Sequence, residues 1–408
     1  MKALQFDVTV PRYVAGRILG AVYKPLFWSG LSCLRYLDLP EPALPGPGWV
    51  KIRTKYGGIC GSDWGLIQLH NSPYLSPFSS KRFVIGHENL GTIVDMGAEV
   101  QGWRVGERVV ADLMLPCATR GFSEPCEPCR RGDYNLCERF AEGNLAPGTV
   151  IGACADTGGS WGPVYVAHES QLLHVPDNVS DANAILLDAV SATLHPILRE
   201  PPDDDDTVLV LGAGVIGLCT IAALRALGSR ARILALAKYK HQADLARHYG
   251  ADEVILVGRG QDRFLAVSQA TGARVYKPLL GKPAIVGGAD VVYECVGSDG
   301  SLDDALRLAR AGGRVVLVGL ASIPKGVDWT PIWFREIRVV GTYAVAMDPW
   351  RGEAARTYAI GLALMAEGKL DLEPLLTHKF ALSDYRTAFR AMSAKSANGL
   401  LKAVFAFD

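Results

Sequence analysis

The residues of this chain best suited to metal chemistry are cysteines, histidines and carboxylates in short glycine-rich motifs. Cys60 lies in GGICGSD, residues 57–63, and His87 precedes Glu88 in VIGHENLG, residues 84–91. A thiolate and an imidazole are ligands that zinc prefers, and a catalytic zinc needs three protein ligands and one open position. The pair supplies two of these ligands. One cysteine and one histidine so far apart in a chain more often reflect coincidence than a site, so the pair alone decides nothing.

Four cysteines form a second group of candidate ligands in CATRGFSEPCEPCRRGDYNLC, residues 117–137. Cys126, Cys129 and Cys137 follow the spacing C-x2-C-x7-C, and Cys117 precedes them at a longer interval. The chain has nine cysteines, an odd number, and no export signal. These features disfavour a disulfide framework and favour reduced thiols and metal ligands.

A glycine motif suited to a dinucleotide occurs in VLVLGAGVIG. Gly212, Gly214 and Gly217 have the spacing G-x-G-x-x-G, directly after a strand pattern and at the start of a helical one. The first glycine permits a tight turn, the second lets the backbone approach a pyrophosphate, and the third lets helix and strand pack closely. The helix N-terminus, with Val215 and Ile216, then offers amide donors to the phosphates. This context predicts a bound dinucleotide.

The residues after the next strand bear on which nicotinamide cofactor is used. The strand RILALA ends at Ala237, where a domain that prefers NAD carries an acid for the ribose 2′-hydroxyl. Lys238 and Lys240 follow instead and can meet a 2′-phosphate, with Tyr239 able to lie against adenine. A solvated basic turn is the plainer interpretation, but the missing acid and the added cations both favour NADP over NAD. Val296, after a later strand, is assigned to the same cofactor site.

The elements that must position these residues follow two patterns. From residue 48 to about 175, short β-rich runs broken by Gly, Pro and Asn predict an irregular all-β region. A helix is predicted in SDANAILLDAVSATLHPIL, and beyond it apolar strands alternate with helices such as LDDALRLARAGG. This alternation predicts a parallel sheet covered on both faces. Residues 273–288 are predicted to be an extra loop, and the tail to contain a helix in EAARTYAIGLALMAEGKL before closing apolar runs.

Length and composition narrow the class of protein. At 408 residues the chain suits two domains. Lys plus Arg and Asp plus Glu number 42 each, which offers no electrostatic footprint for nucleic acid or an anionic membrane and favours a small-molecule partner. The N-terminus shows no secretory signal, so we expect a cytoplasmic protein. Residues 13–34 are apolar but contain Arg17, Lys24 and Pro25, which disfavours a membrane span and favours a buried or subunit-contacting segment.

Together the motifs resemble the zinc-dependent medium-chain dehydrogenase/reductase family, the alcohol and polyol dehydrogenases. The matching stretches are CGSD at 60–63, GHENLG at 86–91, VGERVV at 105–110, the cysteine stretch, the glycine motif and GKLDLEPLLTHKFALSDYRTAF near the end. The resemblance implies an α/β fold, with a Rossmann-type doubly wound parallel sheet domain and an irregular β-rich, GroES-like catalytic domain. It implies a catalytic zinc domain over 1–185, an NAD(P)-binding domain over 186–343 and a C-terminal part over 344–408 that completes the catalytic domain.

The resemblance also implies the remaining ligands of a catalytic zinc. The family takes its third ligand from a helix just before the nucleotide domain, and the matching stretch LLDAVSATLHP places Asp188 there. An ordinary surface acid is the alternative, which the apolar neighbours of Asp188 make weaker. Glu88 is expected as an auxiliary ligand, and Asp63 as the carboxylate that accepts a hydrogen bond from His87.

The implied reaction is hydride transfer between a zinc-bound alcohol and the nicotinamide ring, in either direction. Ser62 resembles the hydroxyl that takes the alcohol proton in the family. No histidine stands at 64 or 65 to pass that proton on, and His70 is a loose candidate. Trp64 is a candidate for lining a substrate pocket, although a core position is as common for such a residue. An acidic third ligand favours polyols or sugars, and the resemblance favours a homodimer or homotetramer.

In the family, a lobe with four cysteines closes a structural zinc site. Measured from ERVV, Cys117 stands where the first cysteine belongs, and the eight residues ATRGFSEP replace the usual spacer of two. A longer loop costs little closure entropy. We therefore expect an intact structural zinc site of Cys117, Cys126, Cys129 and Cys137, in preference to a degenerate lobe with idle thiols.

Two other functions compete with a zinc-dependent oxidoreductase. Zinc-free quinone and enoyl reductases share the nucleotide-binding fold, but they lack the set of Cys60, His87 and Asp188. A non-catalytic nucleotide-binding or sensor protein would be expected to lose these ligands or Ser62, and all four residues are present. The sequence therefore favours the enzyme.

Overall fold

A computed structural model describes residues 1–258, 262–394 and 399–407 of the chain. The chain forms two compact units. Unit 1 comprises Met1–Asp188, Val345–Met347 and Ala354–Asp408, and unit 2 comprises Ala189–Ala344 and Asp348–Glu353. The sequence predicted a β-rich catalytic domain and a parallel-sheet domain, and the structure confirms this fold class.

The first part of the chain is rich in short strands. Its strands are β1 (Lys2–Asp7), β2 (Leu34–Asp38), β3 (Trp49–Gly58), β4 (Arg82–Val84), β5 (Asn89–Met96), β6 (Arg108–Ala111), β7 (Val164–His168) and β8 (Leu172–His174). Its α-helices are α1 (Val10–Val22), α2 (Gly61–Ile67), α3 (Glu127–Arg130), α4 (Asp181–Ala184) and α5 (Leu187–Arg199). Short 3-10 helices cover Lys24–Trp28, Pro73–Phe78, Cys117–Arg120, Tyr134–Leu136 and Glu169–Gln171.

The next part alternates strands and helices. Its strands are β9 (Thr207–Leu211), β10 (Arg232–Ala237), β11 (Glu253–Leu256), β12 (Arg274–Tyr276), β13 (Ala284–Val286), β14 (Ala289–Glu294), β15 (Ala309–Leu317) and β16 (Arg338–Gly341). Its helices are α6 (Val215–Ala226), α7 (Lys240–His248), α8 (Arg263–Thr271), α9 (Asp299–Leu308) and α10 (Thr330–Phe334).

The last part contains two short strands, two helices and a closing strand pair. Its elements are β17 (Met347–Trp350), β18 (Glu353–Arg356), α11 (Thr357–Ala366), β19 (Leu376–Ala381), α12 (Tyr385–Ser393) and β20 (Lys402–Ala406), with 3-10 turns at Glu373–Leu375 and Leu382–Asp384. Strand β20 pairs in parallel with β19 and antiparallel with β3, so the end of the chain completes the main sheet of unit 1.

The main sheet of unit 1 has the order β19-β20-β3-β5-β6-β8, with β7 also paired to β3. A separate three-stranded sheet has the order β2-β1-β4. The pairing of β3 with β5 is antiparallel and matches Gly57 with Asn89. The end of β3 and the beginning of β5 therefore lie side by side. Cys60 follows the first of these points and His87 and Glu88 precede the second, so strand register brings the predicted ligands together.

Unit 2 is built on a six-stranded sheet whose adjacent strands are all parallel, in the order β11-β10-β9-β14-β15-β16. The order reverses between β9 and β14, which is the switch point where doubly wound folds bind nucleotides. The strands are continuous apolar runs because both of their faces are buried, as Val208, Leu209 and Val210 in β9 illustrate.

Several element boundaries differ from the sequence-based expectation. The region expected to be all-β contains the helix α2, because Cys60 and Asp63 form a helix start there. The single helix expected after Ser180 is two helices, α4 and α5. Helix α9 ends at Leu308, since Ala309 is already extended and begins β15, and α11 begins only at Thr357 because Glu353–Arg356 is a strand. The loop expected at 273–288 contains the antiparallel pair β12 and β13.

The N-terminal segment expected to be buried or to contact another subunit is only partly buried. It forms α1 and the 3-10 helix Lys24–Trp28, and Phe27 and Trp28 belong to a hydrophobic core with Trp161 and Phe389. Several apolar residues of α1 are exposed. Among the described helices, none combines the length and apolar character needed to cross a membrane.

Candidate metal and cofactor sites

Cys60 is fixed by the start of α2. Its backbone is extended, with φ −78° and ψ 156°, and its amide donates a hydrogen bond to Asp63 Oδ2 over 3.1 Å. A carboxylate in the first turn satisfies a free amide and interacts favourably with the helix dipole. The thiol of Cys60 is therefore presented by a defined helix start rather than by a free loop.

His87 lies between two carboxylates. Its Nδ1 is 3.2 Å from Asp63 Oδ1, and its Nε2 is 3.9 Å from Asp188 Oδ2. The shorter contact fixes the ring and keeps a proton on Nδ1, which leaves Nε2 as the nitrogen able to bind a metal on the side of Asp188. Asp63 thus orients His87, and through its other oxygen it also holds Cys60.

Asp188 is held by a tyrosine that the sequence did not indicate. The hydroxyl of Tyr358, a fully buried residue of α11, donates to Asp188 Oδ1 over 2.6 Å. Burial, together with the charge of Asp188, raises the pKa of Tyr358 well above its ordinary value, so the hydroxyl keeps its proton and remains a donor. One oxygen of Asp188 is therefore fixed while the other faces His87.

Glu88 is buried and forms an ion pair with Lys402 of β20 through its Oε1. Its Oε2 has no hydrogen-bond partner among the residues that the structure describes. The carboxylate occupies space that only glycine leaves free, because a Cβ at Gly58 would come within 1.9 Å of Oε2. Glu88 is thus packed closely, with one oxygen paired and one unpaired.

The electrostatics of this group depend on burial and on opposed charges. Burial lowers the pKa of His87, but Asp63 and Cys60 beside it raise that pKa well above its ordinary value. Burial raises the pKa of Glu88 against the opposing charge of Lys402. Burial lowers the pKa of Lys402, but Glu88 more than compensates and the pKa is raised. A cation bound by His87 must therefore displace a proton from Nε2, so binding will release protons.

The side chains fit a zinc ion in chemistry and in spacing. One ligand atom each from Cys60, His87 and Glu88 lies within 4.8 Å of the others. Asp188 adds a further oxygen on the Nε2 side of His87. Sulfur, imidazole and carboxylate are the donors of catalytic zinc sites, and an unpaired buried carboxylate oxygen is a group that a cation can satisfy.

The other residues predicted around this site lie in several places. Ser62 is half-buried in the first turn of α2. Trp64 is partly buried and packs against Trp28 and Phe389 of the hydrophobic core, with ring centroids 5.5 and 5.8 Å away. His70 is exposed, and its pKa is lowered by partial burial and by the nearby cations Arg17 and Lys24.

The four cysteines of the second group come together in unit 1. One sulfur from each of Cys117, Cys126, Cys129 and Cys137 lies within 4.8 Å of the other three. Sγ of Cys137 is 3.6 Å from that of Cys117 and 3.8 Å from that of Cys126. A tetrahedron with zinc–sulfur bonds of about 2.3 Å has sulfur–sulfur edges of about 3.8 Å. The long spacer after Cys117 is therefore compatible with a four-cysteine site.

The spacer itself is anchored by Arg120, which is fully buried. Its guanidinium donates to five backbone carbonyls, those of Leu115, Glu142, Leu145, Ala146 and Gly148. These contacts tie the residues that follow Cys117 to the segment after Cys137. The added length is thus an ordered turn in the fold.

The glycine motif has the shape that a dinucleotide requires. Gly212 has φ +102°, and a Cβ there would come within 2.4 Å of Val296. A Cβ at Gly217 would come within 1.8 Å of the carbonyl oxygen of Gly212, so only glycine permits this contact between strand and helix. Gly214 faces open space at the start of α6, next to Val215 and Ile216. A pyrophosphate needs this kind of open cradle at a helix N-terminus.

The residues expected to select the cofactor follow β10, which is adjacent in the sheet to β9, the strand before the glycine turn. Lys238 and Tyr239 follow β10, and the Lys238 ammonium lies 5.5 Å from the Tyr239 ring centre. Lys240 opens α7 and pairs with Asp244 over 2.7 Å. Lys238 and Lys240 are exposed. NAD-preferring domains carry an acid at the end of this strand, and this chain has none there. Val296 lies against the glycine turn through Gly212.

Sequence reasoning missed Lys402, Tyr358 and Glu294. Glu294 is fully buried and accepts hydrogen bonds from the amides of Val296 and Gly297, which shapes the turn after β14. Lys402 and Glu294 each interrupt or end an apolar strand run, and a lone charge in such a run predicts a buried partner. Tyr358 carried no such signal, because a tyrosine in an apolar helix is ordinary.

Comparison with known protein families assigns both units. The alcohol dehydrogenase GroES-like domain matches residues 46–177, and the zinc-binding dehydrogenase domain matches residues 215–359. The first range contains Cys60, His87 and the four-cysteine stretch, and the second begins within the glycine motif and covers most of unit 2.

Individual relatives span nearly the whole chain. An L-idonate 5-dehydrogenase of Vitis vinifera is 32% identical over 394 residues, which cover 95% of this chain and 96% of the relative. A sorbitol dehydrogenase of Arabidopsis thaliana is 31% identical over 379 residues, 91% of this chain and 92% of the relative. Among solved structures, an NADP-bound protein of Sinorhizobium meliloti 1021 described as a zinc-binding dehydrogenase is 25% identical, with a TM-score of 0.69 over 92% of this chain and 95% of that one.

Proposed function

The chain belongs to the zinc-dependent medium-chain dehydrogenase/reductase family, and we propose that it is a zinc-dependent oxidoreductase. It transfers a hydride between a hydroxyl of an alcohol, polyol or sugar, or the matching carbonyl, and a nicotinamide dinucleotide. The observation that carries this proposal is that one ligand atom each of Cys60, His87 and Glu88 lies within 4.8 Å of the others, with Asp188 Oδ2 3.9 Å from His87 Nε2.

Cys60, His87 and Asp188 would hold the catalytic zinc, with Glu88 as an auxiliary ligand. When bound, zinc supplies Lewis-acid stabilisation of the alkoxide form of the substrate. Tyr358 leaves one oxygen of Asp188 for the metal by holding the other. Asp63 keeps the proton of His87 on Nδ1 and so directs Nε2 inward.

Ser62 is proposed to accept the hydroxyl proton of the substrate in the oxidation direction and to return it in reduction. It stands two residues after Cys60 in the first turn of α2, so its hydroxyl is positioned by the same helix start. A hydroxyl is a relay rather than a base, so the proton must pass onward to water or to another side chain.

The proposed substrate class is polyols or sugars. The proposed third ligand, Asp188, is a carboxylate. Hydroxyl-rich substrates can donate hydrogen bonds to carboxylate oxygens, which an apolar alcohol cannot do with its hydrocarbon part. The relatives named as L-idonate and sorbitol dehydrogenases support the same class.

NADP is the proposed cofactor, held by Gly212, Gly214 and Gly217 at the pyrophosphate. Lys238 and Lys240 would meet the 2′-phosphate, with Lys240 already partly neutralised by Asp244. The two cofactors are compared through kcat/KM for NADP and NAD. A preference for NADP that falls in a Lys238→Ala variant is expected, and a preference of the unaltered enzyme for NAD would overturn this assignment.

Cys117, Cys126, Cys129 and Cys137 are proposed to hold a second, structural zinc. Four thiolates would fill the coordination sphere of such an ion and leave no open position, so it would take no part in the chemistry. Its function is to hold the segment around 117–137 in one conformation.

The experiment combines metal analysis with a screen of NADPH oxidation over aldehydes, ketones and sugars. Zinc in the purified protein together with turnover of a hydroxy-carbonyl compound is the expected result. Zinc without turnover of any carbonyl, in either direction, would instead favour a non-catalytic nucleotide-binding protein. Turnover that survives removal of zinc would favour the zinc-independent reductases.

A further inference from the structure

Helix α1 exposes an apolar face. Val10, Val14, Ile18 and Val22 recur at every fourth position and are 77%, 48%, 64% and 90% exposed. Residues four apart lie on one side of a helix. This set of four residues is called the α1 apolar face below. Soluble helices normally direct such a stripe inward, so its outward orientation calls for a covering partner.

The inward side of α1 is the side with small residues. Gly16 and Gly20 are buried, and a Cβ at these positions would come within 2.7 Å of Leu69 and 2.4 Å of Phe27. At about 100° per residue, the glycines lie on the side of the helix opposite Val14 and Ile18. The helix is therefore docked through Gly16 and Gly20, which directs the α1 apolar face outward.

Exposed cations lie in α1 and directly after it. From Val8 to Leu37 the chain contains Arg and Lys but no Asp or Glu. Arg17 and Lys24 are exposed, and Arg17 also donates to the carbonyl of Leu69. The neighbouring Asp7 is shared between Arg12 and Arg82, so the local charge stays positive.

We propose that the α1 apolar face lies on an anionic lipid surface, with its valines and isoleucine among the acyl chains and Arg17 and Lys24 at the headgroups. A short helix with an apolar face and flanking cations binds in the plane of a membrane without crossing it. A second copy of the chain is a poorer partner, because pairing two α1 faces would bring their cations together. The chain-wide charge balance, which argued against a membrane partner, conceals this local excess.

The test is co-sedimentation of the full-length protein with vesicles. Binding is expected to vesicles made from equal parts of phosphatidylcholine and phosphatidylglycerol, and it is expected to weaken with added salt and on vesicles of phosphatidylcholine alone. Ile18→Asp is expected to reduce binding about tenfold or more, because it removes an apolar contact and adds a repelled charge. Lys24→Glu is expected to reduce binding to the anionic vesicles specifically.

Val105→Asp serves as the matched control, since Val105 is 61% exposed on the same unit but outside α1. It is expected to bind vesicles like the unaltered protein. Absence of binding to anionic vesicles at low salt would overturn the proposal. A loss of vesicle binding in Val105→Asp as large as that in Ile18→Asp would also overturn it. A concentration-dependent dimer that Ile18→Asp converts to monomer, without vesicle binding, would show that a second copy covers the face instead. None of these readouts depends on dehydrogenase activity.

Discussion

At the scale of single residues, the candidate zinc site is organised by hydrogen bonds from outside the ligand set. Asp63 contacts both His87 and the amide of Cys60, and Tyr358 fixes one oxygen of Asp188. Such partners set the orientation and basicity of metal ligands. Cys60, His87 and Ser62 could be proposed from the sequence because they stand in short motifs. Tyr358 could not, since its hydrogen bond to Asp188 joins residues far apart in the chain.

Replacing Ser62 by alanine is predicted to leave zinc bound but to lower kcat about 100-fold, because the substrate proton loses its acceptor. Steady-state kinetics and metal analysis on the same preparation measure both effects. Ser123→Ala, an exposed serine of the cysteine stretch, is the control and should leave kcat unchanged. Unchanged turnover in Ser62→Ala would remove this residue from the mechanism.

Tyr358→Phe is predicted to weaken zinc binding at the catalytic site about tenfold, because Asp188 loses the donor that orients it. Competition with a chelator measures the affinity independently of turnover. Tyr293→Phe is a matched control, since the buried hydroxyl of Tyr293 has no hydrogen-bond partner in the described part of the chain. Equal zinc affinity in the Tyr358→Phe variant and the unaltered enzyme would show that Tyr358 only fills space.

The Glu88–Lys402 pair makes a prediction about stability. Lys402→Met leaves the buried carboxylate of Glu88 unpaired and is expected to cost about 3 kcal/mol or more in the free energy of unfolding. Glu88→Gln combined with Lys402→Met is expected to recover most of that loss, because neither charge then remains alone. Urea unfolding of the zinc-free protein measures both effects, because bound zinc would itself pair with Glu88. A Lys402→Met variant as stable as the unaltered protein would mean that the ion pair does not contribute to stability.

At the scale of elements, strand register accounts for the site. The pairing of β3 with β5 brings Cys60 to His87 and Glu88, and the pairing of β20 with β3 adds Lys402. The sequence predicted the strands and the ligands separately. It did not predict the register, because register depends on long-range packing of apolar faces that a local pattern does not determine.

The positions at which helices begin and end were the least predictable features of the fold. Periodicity predicted one helix across 180–198, whereas α4 and α5 are separate. Apolar spacing continued across both, so it gave no indication of the break. The same limit explains why the start of α11 was placed within β18.

The cysteine stretch makes a prediction at this scale. Cys129→Ser is expected to reduce the zinc content from roughly two ions per chain to roughly one and to lower thermal stability, because a closed four-thiolate site contributes to folding. Cys154→Ser is the control, since Cys154 is buried but lies outside the cysteine cluster. One zinc per unaltered chain, with all four thiols open to titration, would contradict a structural site.

At the scale of the whole molecule, the fold class and the family were predictable because both rest on local patterns. The alternation of apolar strands and helices indicates a parallel sheet, and the glycine motif lies directly after its first strand. Total charge was less informative. The balance of 42 cations and 42 anions describes the chain as a whole and hides the cationic, outward-facing α1.

Zinc-dependent hydride transfer is tested most directly in the oxidation direction, with the alcohol that corresponds to the best carbonyl substrate of the screen, labelled with deuterium at its carbinol carbon. The enzyme is assayed as purified, after removal of zinc by a chelator, and after zinc is restored. We predict deuterium on the nicotinamide ring of the reduced cofactor in the first and third samples only. Deuterium transfer that persists without zinc, or cofactor reduction without deuterium on the ring, would contradict the proposed function.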